Sequence, residues 1–156
     1  MSHLTEGQIA PDFTLSASGS DTAITLSALR GKTVVLFFYP KDDTPGCTIE
    51  ACSFRDLSAM FAQAGALVLG ISRDGVGSKE KFAAKFELNY PLLADEENQV
   101  AQSYGIWVEK KNYGQTYLGI DRTTFLIAPD GTIQKIFRKV KPEGHAQEIL
   151  ALLKSA

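Results

Sequence analysis

Residues 33–56 read TVVLFFYPKDDTPGCTIEACSFRD. Thr33 to Tyr39 is a continuous apolar run of β-branched, aliphatic and aromatic residues stopped by Pro40, the pattern of a strand buried on both faces. A central strand is expected there. After the KDDTPG loop, Cys47 to Ala64 carries Phe54, Leu57, Phe61 and Ala64 at the three-and-four spacing of one helical face, and Gly65 ends it. Thr44 is a suitable N-cap and Pro45 a favoured first helical residue, while Gly46 lets the backbone approach a neighbour, so the helix should begin within TPGC.

Cys47 then falls at the third helical position. There its sulfur lies beside N–H groups without intrahelical partners and at the positive end of the helix dipole, which favours thiolate over thiol. Cys47 and Phe54, seven residues apart, are nearly in line, so Cys47 should face the core and sit in a pocket. Cys52, the other cysteine of the chain, lies five residues on. On an ideal helix that is about 140° around the axis and a Cα separation of roughly 8.6 Å. A disulfide generally needs Cα atoms within about 7 Å. The two thiols cannot bond while the first turns stay helical, and a bridge requires the segment to unwind.

Spacing alone leaves open an unreactive pair of small buried hydrophobes. CxxxxC is not a usual zinc spacing, and with His3 near a terminus and His145 near the last helix no four-ligand set is apparent. Both histidines read as surface residues. A thioredoxin-type dithiol exchanger normally carries CxxC, against which the longer gap counts.

Working outward, Asp12 to Leu15 and Ala23 to Leu26 are alternating pieces separated by SASGSD, expected as an N-terminal β-hairpin extension. A second strand spans Ala66 to Ser72. Ser78 to Phe86 reads as a helix with Phe82 and Phe86 on one face, Tyr90 to Leu93 as an extended piece, and Asp95 as the cap of a helix from about Glu97 to Tyr104. Arg122 to Ala128 and Thr132 to Arg138 flank Pro129, Asp130 and Gly131, a turn signal for an antiparallel hairpin. Glu143 to Lys154 closes the chain as an amphipathic helix. This order is that of a thioredoxin-like α/β fold, a central mixed β-sheet flanked by helices. In such sheets, sites form where a strand's carboxyl end meets the next helix, the place of KDDTPGC.

With 156 residues and 44% hydrophobic content, the chain is expected to form a single domain over 1–156 with one core. Its 16 basic and 18 acidic residues are scattered, giving a formal charge of -2 and nothing to draw nucleic acid. No run approaches the roughly 18 apolar residues of a membrane span, and the opening MSHLTEGQIAPDF lacks a basic segment followed by an apolar one. The expectation is a cytoplasmic protein. Two cysteines beside so large a core are not a disulfide framework; in a reducing compartment a nearby pair suggests reactivity or metal binding instead. No glycine-rich phosphate loop or metal set suggests a cofactor. Trp107, Phe37 and Phe38 read as core or pocket lining.

The segment PKDDTPGC matches the peroxiredoxin pattern PxxxTxxC at Pro40, Thr44 and Cys47, and CTIEACSFRD resembles the bacterioferritin comigratory protein or PrxQ subfamily. GQIAPDFTL, VLGIS, FELNYPLLAD, YGIW and GIDRTTFLIAPDG fall in family order, so the resemblance covers nearly the whole chain. It implies that Cys47 is the peroxidatic cysteine, oxidised by hydrogen peroxide or an organic hydroperoxide to a sulfenic acid. Cys52 is then the resolving cysteine, forming an intramolecular disulfide that thioredoxin or a similar dithiol reduces.

Thr44 and Arg122 complete the implied site, the hydroxyl holding thiolate and peroxide and the guanidinium stabilising negative charge. Arg122 opens a strand expected to run antiparallel to Thr33–Tyr39, which brings it near the loop; without the resemblance it reads as a surface arginine. Pro40 is expected to shield the sulfur and fix the loop, besides ending the strand. Glu50, three positions after Cys47, is either a proton carrier or a solvated first-turn acid, and stays outside the catalytic set. An intramolecular resolving partner removes any need for a dimer, so a monomer is expected. A disulfide exchanger, opposed by the CxxxxC gap, and a non-catalytic redox sensor are the rival readings.

Overall fold

The computed structural model describes residues 4–19 and 21–154; His3 lies outside them. Two short strands, β1 (Thr14–Leu15) and β2 (Ile24–Thr25), pair antiparallel and lead through a 3-10 turn at Leu26–Leu29 into β3 (Thr33–Phe38). Helices α1 (Pro45–Asp56) and α2 (Ser58–Gln63) precede β4 (Ala66–Ser72), α3 (Val76–Phe86), β5 (Leu92–Ala94) and α4 (Gln99–Ser103). A hairpin of β6 (Trp107–Asn112) and β7 (Gln115–Ile120) leads to β8 (Thr123–Ile127), β9 (Ile133–Phe137) and α5 (His145–Lys154).

The central sheet has the order β5-β4-β3-β8-β9. The pairs β3/β4 and β4/β5 are parallel, β3/β8 and β8/β9 antiparallel, as the thioredoxin-like reading requires. Because side chains alternate along a strand, β3 feeds two cores. Val34, Leu36 and Phe38 pack with Tyr104, Phe125 and Ile127 on one face. Val35 and Phe37 pack with Cys47, Phe54, Phe61 and Phe82 on the other. The N-terminal segment caps both sheet edges: Ser18 donates to the Leu92 carbonyl at 2.9 Å, and Gly7 to that of Ile133 at 2.7 Å. Paired in this way, neither edge offers a long free ladder to another chain. Among the described residues no helix is long and apolar enough to cross a membrane.

Several expectations need correction. The helix expected over Cys47–Ala64 is two helices, interrupted at Leu57, whose φ of −103° and ψ of 5° leave helical geometry. Phe54 and Phe61 still share one core across the break, 5.7 Å between ring centroids, so the apolar spacing reads as unbroken although the hydrogen-bond ladder is not. The Asp95 carboxylate does accept from the N–H groups of Val100 and Ala101, but the helix starts only at Gln99, after Asn98 in the left-handed region. The β6/β7 hairpin was not expected. Its strands are largely exposed and lack apolar alternation, and its reversal rests on Tyr113 and Gly114, both at positive φ.

Most of the described glycines with positive φ have open space at the Cβ position, but Gly70 in β4 is required by packing. A Cβ there would lie 2.8 Å from both Phe37 Cζ and Leu92 Cδ2. Phe37 cannot retreat, since it stacks on Phe54 at 4.6 Å between centroids and meets Tyr90 edge-on at 5.9 Å. Gly70→Ala is therefore expected to lose about 1–3 kcal/mol through overpacking, read as a lower urea midpoint with an unchanged m-value.

Candidate active site

The site begins with the register of β3 and β8. Phe38 pairs with Thr123, so the residue before β8, Arg122, lies level with the end of β3, where the chain turns into the loop before α1. Arg122 precedes its strand by one residue instead of opening it. Its Nη2 donates to Cys47 Sγ at 3.3 Å, and its Nη1 to Glu50 Oε1 at 2.8 Å. One planar guanidinium thus spans two side chains one turn apart on α1.

Helix α1 starts as the TPGC reading expects, with Thr44 at the N-cap and Pro45 at the first turn. The Thr44 hydroxyl, however, makes no capping bond; it donates to the Lys41 carbonyl at 2.9 Å. Cys47 is buried, at 1% exposure, among Phe54, Ala51 and Tyr39. Gly46 matters for a spatial reason: a Cβ there would stand 3.3 Å from Arg122 Nη2 and 3.4 Å from Pro142 Cγ, crowding the guanidinium that meets the sulfur. Pro40 is half-buried and lines a groove with Lys41, Arg73, Trp107, Lys110 and Tyr117. Trp107 therefore falls where expected, as groove lining, and Phe37 and Phe38 are core.

Cys52 is half-buried and free, on the same uninterrupted helix as Cys47. The helix is held on either side of it, by Phe54 in the core and by Tyr90, whose hydroxyl donates to the Ala51 carbonyl at 2.7 Å. Cys47, Arg122 and Glu50 are brought together; Cys52 stands apart from them around the helix.

Glu50 is the residue that sequence reasoning undervalued. It is not a solvated acid but 1% exposed. Burial pushes its carboxyl up from 4.5 to about 7, against the opposing charge and hydrogen bond of Arg122. Its second oxygen, Oε2, is buried with no hydrogen-bond partner, which is why the ion pair fails to compensate for desolvation. For Arg122, burial works against the cation, but the Cys47 sulfur and Glu50 carboxylate outweigh it and hold the guanidinium above its ordinary pKa.

His145 also differs from expectation. It is buried at the start of α5, hydrogen-bonded through Nε2 with Thr124 Oγ1 at 2.8 Å and through Nδ1 with Glu148 at 3.1 Å. Burial lowers its pKa despite Glu148. Both ring nitrogens are satisfied, so a polar ring fits between Phe54 and Phe137. A short flanking sequence of polar residues gave no sign of this.

A model of the AhpC/TSA family matches residues 7–136. A Coxiella burnetii protein named as a putative peroxiredoxin Bcp is 48% identical over 94% of this chain and 97% of its own. The chain is an AhpC/TSA-family peroxiredoxin of the Bcp type. Its fold agrees with that of a Xylella fastidiosa PrxQ variant, with a TM-score of 0.93 at 40% identity over 99% of this chain and 98% of the other. A Xanthomonas campestris bacterioferritin comigratory protein, whose structures were solved to explain its alkyl peroxide reduction activity, gives a TM-score of 0.87 at 44% identity, covering 92% and 90% of the two chains.

The burial of Glu50 has a pH signature in this peroxiredoxin. A carboxyl raised in the folded state holds a proton that the unfolded chain has released, so folding stability should fall as pH rises from about 4.5 to about 7 and flatten above. Urea denaturation across that window should show the decline in the parent protein and a flatter profile in Glu50→Gln. Equal slopes would assign the dependence elsewhere.

Proposed function

We propose that this peroxiredoxin works as a single-domain, monomeric thiol peroxidase in the cytoplasm, with Cys47 as its peroxidatic cysteine. One observation carries the reading: a buried cysteine in the first turn of a helix, its sulfur 3.3 Å from an arginine that is itself paired to a buried glutamate. The Cys47 sulfur attacks the terminal oxygen of a hydroperoxide as the O–O bond breaks, giving a sulfenic acid and an alkoxide or hydroxide that takes a proton and leaves. Arg122 stabilises the negative charge that passes from sulfur to the leaving oxygen, with the donors already in place. Glu50, protonated in part near neutrality, holds Arg122 and can yield a proton beside the reacting atoms.

Thr44, whose hydroxyl hydrogen is engaged by Lys41, offers its oxygen lone pairs at the mouth of the loop, and Pro40 shields the sulfur from water. Cys52 then resolves the sulfenic acid: its thiol expels water and forms the intramolecular disulfide. Reduction by thioredoxin or a similar dithiol restores both thiols. Hydrogen peroxide and small organic hydroperoxides are the proposed substrates, the latter supported by the alkyl peroxide activity of the Xanthomonas relative.

Cys47→Ser should abolish peroxide consumption, and Arg122→Ala should slow the first step by roughly 10²–10³, as loss of one charge-stabilising donor does elsewhere. After one equivalent of peroxide, intact mass should show loss of two hydrogens within a monomer. Cys52→Ser should instead stop at a sulfenic acid trapped by a dione. A covalent dimer, or full thioredoxin-dependent turnover in Cys52→Ser, would overturn the assignment of Cys52.

A further inference from the structure

Lys79, in the polar-looking run SKEKF, is fully buried on α3 at 0% exposure. All three of its ammonium hydrogens are used: Nζ donates to Ser72 Oγ at 2.5 Å, to Tyr39 Oη at 3.0 Å and to Asp42 Oδ1 at 3.2 Å. Asp42 is buried too, and belongs to the loop that delivers Cys47. Its carboxylate accepts from the Tyr39 hydroxyl at 2.5 Å and from Ser78 at 2.8 Å, while its backbone N–H donates to Asp74 at 2.8 Å. Ser72 closes the set by donating to the same Asp74 oxygen at 3.0 Å.

This network ties the loop, two residues before the N-cap of α1, to the ends of β3 and β4 and to the first turn of α3. The neighbouring tie is far weaker, since the Asp43–Lys85 pair is exposed at both ends. Asp43 also sits at φ 58°, in the left-handed region, so the backbone between the network and the helix is held in a conformation it would otherwise leave. Burial draws the Lys79 ammonium down and Asp42 pushes it back up, as expected of a charge kept inside by its partner.

A structural lysine could simply fill a polar hole. Its position, however, is at the upstream end of the segment that must unwind before Cys47 can reach Cys52. We propose that Lys79 is a positioning residue which, through Asp42, pins the loop in its folded form and so sets how oxidised Cys47 divides between resolution and overoxidation. The proposal rests on the reading of Cys47 and Cys52 given above.

Two reactions compete for the sulfenic acid. In the unwound form, the Cys52 thiol attacks the Cys47 sulfur, an S–S bond forms, and the hydroxyl leaves as water with the thiol proton. In the folded form, a second hydroperoxide donates one oxygen to the Cys47 sulfur, giving the sulfinic acid and an alcohol or water. A tighter loop favours the second, and removal of Lys79 leaves a buried carboxylate unpaired and the folded loop less favoured.

The test compares the parent protein with Lys79→Met under thioredoxin recycling and a fixed excess of peroxide. Intact mass gives the sulfinic fraction per turnover, and rapid quench gives the rates of sulfenate formation and of disulfide closure. Lys79→Met should lower the sulfinic fraction and raise the closure rate by about threefold or more each, while slowing the first step. A role in packing alone would lower the melting temperature and leave the ratio of sulfinic acid to disulfide unchanged, and that result overturns the proposal. If Lys79→Met does not fold, Ser78→Ala, which removes only the outer bond to Asp42, should move the ratio the same way by a smaller factor; an unchanged ratio there also overturns it. Absence of any Cys47–Cys52 disulfide in the parent would instead defeat the underlying reading of the cysteines, and this proposal falls with it.

Discussion

Arg122 places a cation mostly out of water, its side chain 16% exposed, and such a cation needs partners where water has been removed. It finds a sulfur on one side and a carboxylate on the other, both from α1. Much of the surrounding sequence follows from that demand. The register of β3 and β8 brings the arginine level with the loop, and Gly46 leaves room for its Nη2. Glu50 accepts from Nη1 yet keeps its other oxygen unpaired, which leaves it close to its own protonation threshold at neutral pH.

A second constraint opposes the first. The contact between Arg122 and Cys47 depends on the first turn of α1 being helical, whereas a bond from Cys47 to Cys52 depends on that turn opening. The anchors of the segment are arranged around this conflict. Downstream, Phe54 stacks on Phe37 and Tyr90 bonds the Ala51 carbonyl, so the far half of α1 belongs to the core. Upstream, the buried set of Tyr39, Asp42, Ser72 and Lys79 holds the loop by hydrogen bonds and charge. Between them lie Gly46, a strained Asp43 and a threonine whose hydroxyl does not cap the helix. On the proposed mechanism, that stretch is where the helix opens after the sulfur is oxidised.

Wherever one apolar face decides the structure, the linear sequence reads well. The buried run of β3, the start of α1, the hairpin of β8 and β9 and the final amphipathic helix all show their period or their turn residues directly. Reading fails for features that the apolar pattern does not carry. The break at Leu57 leaves the core face intact, and the β6/β7 hairpin meets the core only at its base, through Trp107 and Ile120, leaving no apolar alternation to read. Lys79 offered one overlooked clue: it lies three residues before Phe82 and seven before Phe86, on the same side of α3. His145 and Glu50 offered less, because their burial depends on Thr124 and Arg122, residues distant in the chain.

The sequence by itself determined the mixed α/β order, the helix start at TPGC, the inward direction of Cys47 and the separation of the two thiols. Each depends on local geometry, a repeat or a turn within a few residues. Only the tertiary structure decided which charges are withdrawn from water and with whom: Arg122, in part, against Cys47 across 75 positions, and Lys79, fully, against Asp42 across 37. Desolvation acts on neighbours in space, and spatial neighbours of this kind leave no period along the chain.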